Sequence, residues 1–181
     1  MNFSAELYCA QYDQPEDEES IRICLVLIFT REFEMIAVVQ RVSGAKVVVD
    51  GEVVGQIGKG LCVLAAVHKT DSADDVKWMA SKLAEMRVFP EGDKNFHLDV
   101  RQAGGGVLLI SNFTVAAATH LGRRPTLEAA ADPEKGRELF DQLLAKVAEL
   151  GVTVQTGTFR AHMDVTIEND GPITFVVDSR A

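Results

Sequence analysis

Two runs rich in β-branched residues, 45–49 and 52–57, are separated only by Asp50-Gly51. A two-residue connection of this kind calls for a type I′ turn, in which both central residues take positive φ, and Asp-Gly is among the pairs that accept it. The flanking runs are thereby committed to antiparallel pairing. With 36–42 ahead of them and 61–67 following Gly58-Lys59-Gly60, the opening reads as a β-meander.

Only two segments carry a helical period. Ser72 is an N-cap with Asp75 at the capping-box position, and Val76, Met79, Ala80, Leu83 and Met86 form one apolar stripe. Asp132-Pro133 starts the second helix, with Leu139, Phe140, Leu143, Leu144 and Val147 on its core face and Gly151 just past its end. A loop rich in Gly, Asp and Asn leads to a predicted strand over 107–115, and 152–156, 163–168 and 173–177 complete the strands. Strands outnumber helices, and their order is no strict βαβ repeat. The expected class is α+β, a mixed, largely antiparallel sheet curling into a barrel-like core with two main helices.

The 181 residues suit one domain with one core, and 47% hydrophobic with 25% charged residues is a globular composition. The net charge of −9 is unevenly placed: residues 1–34 hold eight acidic and two basic side chains. That segment, with Glu16-Asp17-Glu18-Glu19 and an apolar run at 21–29, reads as an extension: a flexible tail, an added strand or upstream sequence translated from an early start codon, the last preferred with a start at Met35 and the domain spanning 35–181. The apolar run is below the ~20 residues that cross a bilayer, so no membrane association is expected. Cys9, Cys24 and Cys62 fit no ligand or disulfide spacing, which suits a reduced, cytoplasmic setting.

Several constellations invite chemistry and are weighed against plainer readings. Gly104-Gly105-Gly106 lacks the GK[ST] of a phosphate loop and precedes a strand, so a mobile turn is preferred. His68, His97, His120 and His162 show no metal-ligand spacing, and no cofactor or metal is expected. Ser111, His162 and Asp164 can be drawn as a triad, but Ser111 lies in no nucleophile elbow. Ser111-Asn112-Phe113-Thr114 ends a strand where the amides of Phe113 and Thr114 can face a cleft and stabilise an oxyanion, the Thr114 hydroxyl orienting water or substrate. The plainer reading is an edge strand bonded to a turn. Asp170-Gly171-Pro172 is either a common turn or, if its X-Pro bond is among the roughly 5% that are cis, a stiff backbone wall able to test the handedness of a substrate.

Taken together, Met35 to Val42, Gln102-Ala103-Gly104-Gly105, Leu109 to Val115, Gly122-Arg123-Arg124-Pro125, Gln155-Thr156-Gly157-Thr158-Phe159 and Asn169-Asp170-Gly171-Pro172-Ile173-Thr174-Phe175 closely resemble the bacterial and eukaryotic D-aminoacyl-tRNA deacylases. The resemblance implies an enzyme that removes D-amino acids, and glycine on the wrong tRNA, from the acceptor end of tRNA by ester hydrolysis. It implies a homodimer without metal or cofactor, binding aminoacyl-tRNA and not DNA. Ser111, Asn112, Phe113 and Thr114 would line the catalytic pocket of one subunit, while Gly171-Pro172 enters as a cis pair from the other. Arg41 matches a residue that braces the Gly-Pro loop, Met163 one packed beside it, and Asn169 belongs to the same substrate-binding motif. The 2′-hydroxyl of the terminal adenosine would assist hydrolysis. The chain departs from the family at Asn112, where Gln is usual, and this shorter side chain motivates an alternative: a catalytically weak paralogue acting as an RNA- or protein-binding dimer.

Overall fold

A computed structural model describes residues 35–120 and 122–179. The expected extension over residues 1–34 lies outside the described residues. In chain order the elements are β1 (Ile36–Val49), β2 (Glu52–Ile57), β3 (Gly60–Ala66), α1 (Ala73–Glu85), β4 (Phe89–Glu91), β5 (Lys94–Leu98), β6 (Gly106–Ser111), a 3-10 turn (Phe113–Ala116), α2 (Pro133–Glu149), β7 (Thr153–Thr156) and β8 (Asp164–Asp178).

The fourteen-residue strand β1 is the spine. Its first half pairs with β3 and its second half with β2, both antiparallel, while β8 runs antiparallel along nearly its whole other edge. Beyond β3 the sheet continues through β6 and β7, each parallel to its neighbour, giving the order β2-β1-β3-β6-β7. The far edges approach each other: a Cβ built on Gly55 of β2 would strike the Thr156 carbonyl of β7. The sheet thus curls towards closure, and the α+β, barrel-like expectation holds.

Side chains alternate across β6, as the two-residue period of a strand requires. Val107 and Leu109 join Leu61, Val63, Met79, Leu83, Phe89, Leu139, Phe140 and Leu143 in a core between the sheet and the helices. Leu108 and Ile110 face the other way, packing with Val42, Val47, Ile57 and Cys62 inside the curl. Both helices start as the sequence predicts. Ser72 and Asp75 form a complete capping box, and the Asp132 carboxylate accepts hydrogen bonds from the Glu134 and Lys135 amides. The hairpin turn also conforms, with φ of 50° at Asp50 and 83° at Gly51.

Four expectations need correction. The runs 36–42 and 45–49 are one strand. So are 163–168 and 173–177, which join as β8 with an outward loop inside it: the register passes from Val42 opposite Asn169 to Gln40 opposite Thr174, leaving residues 170–173 facing Arg41 alone. The strand predicted to reach residue 115 stops at Ser111, because the Asn112 side chain accepts the Thr114 N–H and turns the chain into the 3-10 segment. The small β4–β5 hairpin lies in the stretch read only as loop.

Candidate active site

The end of β6 forms one wall of a cleft. Ser111 pairs with Ala65 of β3, and the Asn112 amide donates to the Ala65 carbonyl at 2.8 Å, so Ser111 and Asn112 are held to the sheet. The Asn112 carboxamide oxygen then accepts both from the Thr114 N–H (3.2 Å) and from the Thr114 hydroxyl (2.5 Å). This corrects the expected donor set. The Thr114 amide and hydroxyl hydrogen are committed within the turn, and the Phe113 N–H, which makes no hydrogen bond among the described residues, is the available donor.

The opposite wall is the segment between β7 and β8. Phe159, Arg160, Ala161, His162 and Met163 face Ser111, Asn112 and Phe113 across a cleft of about 400 Å3, floored by Leu64, Ile110 and Ile167. Gly157 lets this wall close in, since a Cβ there would lie 2.5 Å from Met163 Sδ and 3.3 Å from Val47. The floor is apolar and one rim is polar, a division suited to an amphipathic substrate. Thr114 is exposed and does not line the cleft.

Ser111 and His162 share the cleft, but no hydrogen bond joins them. His162 is 96% exposed and sits 3.9 Å from the Asp164 carboxylate. A Ser-His-Asp relay requires the serine within hydrogen-bond reach of the histidine, and that link is missing. Among the described residues no group of three or more His, Cys, Asp or Glu side chains converges as a metal site requires. Cys62 is buried, and burial pushes its thiol up to about 11, so it offers no thiolate near neutral pH.

The second set of predicted residues gathers elsewhere in the chain. The Gly171-Pro172 bond is cis, and both residues are exposed at the tip of the loop in β8. Asn169 closes the loop from within: its side-chain oxygen accepts from the Ile173 N–H (3.2 Å) and its amide donates to the Ile173 carbonyl (3.4 Å). Arg41, 9% exposed, braces it from β1. Its Nε lies 2.9 Å from the Asp170 carboxylate and donates to the Asp170 carbonyl at 3.2 Å, while Nη1 donates to the Val88 carbonyl at 2.8 Å. Arg41, Asn169, Gly171 and Pro172 therefore form one unit, and Ser111, Asn112, Phe113 and Met163 another. Within a single chain, Gly171 and Pro172 do not line the cleft.

Arg160 was not among the predicted site residues. It follows the Gln155–Phe159 motif directly, but its place on the rim depends on a left-handed backbone turn, which the sequence does not announce.

The profile of the family described as D-Tyr-tRNA(Tyr) deacylase matches residues 38–178. A D-aminoacyl-tRNA deacylase of Geobacter sulfurreducens is 43% identical over 147 residues, covering 81% of this chain and 97% of the relative. Among solved structures, a c-Myc DNA unwinding element binding protein superposes with a TM-score of 0.74 at 30% identity, over 78% of this chain and 97% of that one. A probable eukaryotic D-amino acid tRNA deacylase shares the fold at a TM-score of 0.70 and 18% identity, over 80% and 98% of the two chains. The matched span includes both the cleft wall at 111–114 and the loop at 169–173, and the chain belongs to the D-Tyr-tRNA(Tyr) deacylase family.

Proposed function

We propose that this chain hydrolyses the ester of D-aminoacyl-tRNA, releasing free D-amino acid and tRNA, and that its site is completed by a second copy of itself. Supporting the first part is family membership over the whole 38–178 span. Supporting the second is one observation: the Gly171-Pro172 loop is clamped by Arg41 and Asn169 yet exposed, while the cleft beside Ser111 lacks it. β8 pairs only with β1 among the described residues, and Val176 (68%) and Phe175 (36%) are exposed on it, so an apolar edge is open to a partner.

In the assembled site, water adds to the ester carbonyl, and the Phe113 N–H stabilises the oxyanion that forms. Collapse of this intermediate expels the ribose oxygen, which leaves with a proton; the neighbouring 2′-hydroxyl is placed to relay it. Met163 and Ile167 receive apolar parts of the substrate. The partner's Gly-Pro backbone faces the α-carbon and excludes an L side chain, while a D side chain points away; glycine, having none, is accepted. Asn112 acts here chiefly by holding the turn through Thr114, so the shorter side chain does not disqualify the site, and the weak-paralogue alternative is not favoured. The working domain is 35–181, the setting cytoplasmic, and residues 1–34 an added segment.

The test compares D-Tyr-tRNA with L-Tyr-tRNA on purified protein. Rapid release from the first only is expected; equal rates on both reject the chiral mechanism. Mixing two inactive variants, one with the loop disrupted (Gly171→Val) and one with the cleft filled (Gly157→Phe), should restore part of the activity. No recovery in verified mixed dimers removes the shared site.

A further inference from the structure

We infer that Arg160 receives the phosphodiester of the terminal nucleotide, so that the cleft distinguishes an ester carried on RNA from the same ester on a free nucleoside. The inference rests on the deacylase reading above and names the group that anchors its substrate.

The backbone provides the first observation. Arg160 has φ of 65° in the turn that brings the Ala161 N–H to the Thr158 carbonyl at 3.1 Å. This region is disfavoured for residues with a Cβ and freely taken by glycine. Among the described residues the only other non-glycine there is Asp50, whose hairpin turn demands it. A turn that needed only its geometry would be served best by glycine. The long cationic side chain at Arg160 therefore answers a demand of its own.

Its surroundings provide the second. Arg160 is exposed on the rim facing Ser111, Asn112 and Phe113, and no hydrogen bond or ion pair among the described residues uses its guanidinium. Arg160 is the one arginine or lysine among the described residues that lines the cleft. Arg137 covers the Phe159 ring at 5.5 Å, and the Asp164 carboxylate faces His162. Arg160 is thus an unpaired fork of donors at the mouth of a cleft on a chain of net charge −9.

Chemistry identifies the ligand. With the ester carbonyl at the Phe113 N–H, the phosphodiester of the same nucleotide is one ribose away, and Arg160, on the wall that faces Phe113, is the cation of the cleft able to meet it. The planar guanidinium matches two phosphate oxygens at once. Such a contact positions the end of an RNA without reading its sequence, as an enzyme acting on many tRNAs requires. In the field of an acidic protein, it also supplies a local attraction that the overall charge does not.

The experiment uses the full chain with Arg160→Gly and Arg160→Lys, and two substrates: D-Tyr-tRNA, and D-tyrosyl-adenosine, which has the ester and no phosphate. Glycine suits the turn, so Arg160→Gly is expected to melt no lower than the parent. Its KM for D-Tyr-tRNA should rise about tenfold, the loss expected for one charge-assisted contact, with kcat little changed. The salt dependence of log(kcat/KM) should become shallower by about 0.7. Arg160→Lys should recover part of both. D-Tyrosyl-adenosine should be hydrolysed equally well by all three proteins. An equal loss on both substrates, or an unchanged salt slope, overturns the inference while leaving the deacylase reading standing. An unsubstituted protein inactive on both substrates removes that reading and this inference together.

Discussion

Replacing Arg41 by methionine keeps an unbranched stem in the same space and deletes the guanidinium, so its consequences follow from three contacts. The Nη1 bond to the Val88 carbonyl is buried, and leaving that acceptor without its donor costs about 1–3 kcal/mol. The ion pair with Asp170 contributes less. The arginine side chain is 10% exposed but its partner is 47% exposed, and solvent screening limits such a pair to under about 1 kcal/mol. The expected loss is therefore about 2–3 kcal/mol, a fall in Tm of roughly 5–10 °C for a domain of this size. The third contact, from Nε to the Asp170 carbonyl, concerns function, because Asp170 directly precedes Gly171. Without it Asn169 alone holds the loop, and a displacement of about 1 Å at a reacting centre is enough for a hundredfold change in rate. Thermal melts and initial rates on D- and L-Tyr-tRNA provide the assay, with the L/D rate ratio expected to rise at least about tenfold (~1.4 kcal/mol). Arg41→Lys should fall between, since one ammonium cannot serve both Val88 and Asp170. If Tm drops as expected while the rate ratio stays that of the parent, Arg41 supports the fold and not the selectivity.

Asp71 should make stability depend on pH. Burial pushes its carboxyl up to about 7 from 3.8, with the His68 backbone N–H opposing and the Asp75 charge adding to the rise. The folded form thus keeps a proton that the unfolded chain releases, and this stabilisation, at most about 4 kcal/mol, is complete below about pH 4 and lost as pH rises through 7. Asp71→Asn should flatten the urea midpoint between pH 4 and 7, and a gap from the parent that does not vary with pH counts against this. Gly157→Ala should push Met163 into the cleft, raising KM severalfold at a cost of about 1–3 kcal/mol; unchanged kinetics and stability would mean that the wall yields freely. His162→Ala should retain activity within about threefold, given a side chain 96% exposed and not bonded to Ser111; a loss of 1,000-fold or more is the signature of a triad.

What the sequence disclosed was governed by local chemistry. Asp50-Gly51, the Ser72–Asp75 box and Asp132-Pro133 each prescribe a backbone shape within four residues, and each is found as expected. The end of β6 was overrun because Thr114 and Val115 favour strands by propensity, whereas the Asn112 side chain offers the Thr114 amide a closer partner than any neighbouring strand. The β4–β5 hairpin escaped notice because residues 90–96 are exposed, so no alternation of apolar and polar residues marks it. At the site, motif residues were legible through resemblance, but their division into two separate units was not. That division depends on residues 170–173 leaving the ladder opposite a single arginine, a property of the pairing of β1 with β8.

The two units are nevertheless built on one strand. Arg41 stands in β1 and holds the Gly-Pro loop, and six residues later Val47 packs in the interior cluster against which Met163 rests. The register shifts between Gln40 and Gly44 lie between them, bending the strand so that β3 takes one half and β2 the other. Arg41 and Val47 thus sit on either side of the stretch where the pairing with β8 is irregular, Val47 in the cluster beneath the cleft wall and Arg41 under a loop that is offered outward. In a twofold assembly each subunit's β1 would then support both the Met163 wall of its own cleft, through Val47, and the barrier over its partner's, through Arg41. On the proposed function, selectivity and dimer geometry would both depend on this one strand, so a substitution in β1 at Arg41 should move the L/D rate ratio while one at Val47 should move KM.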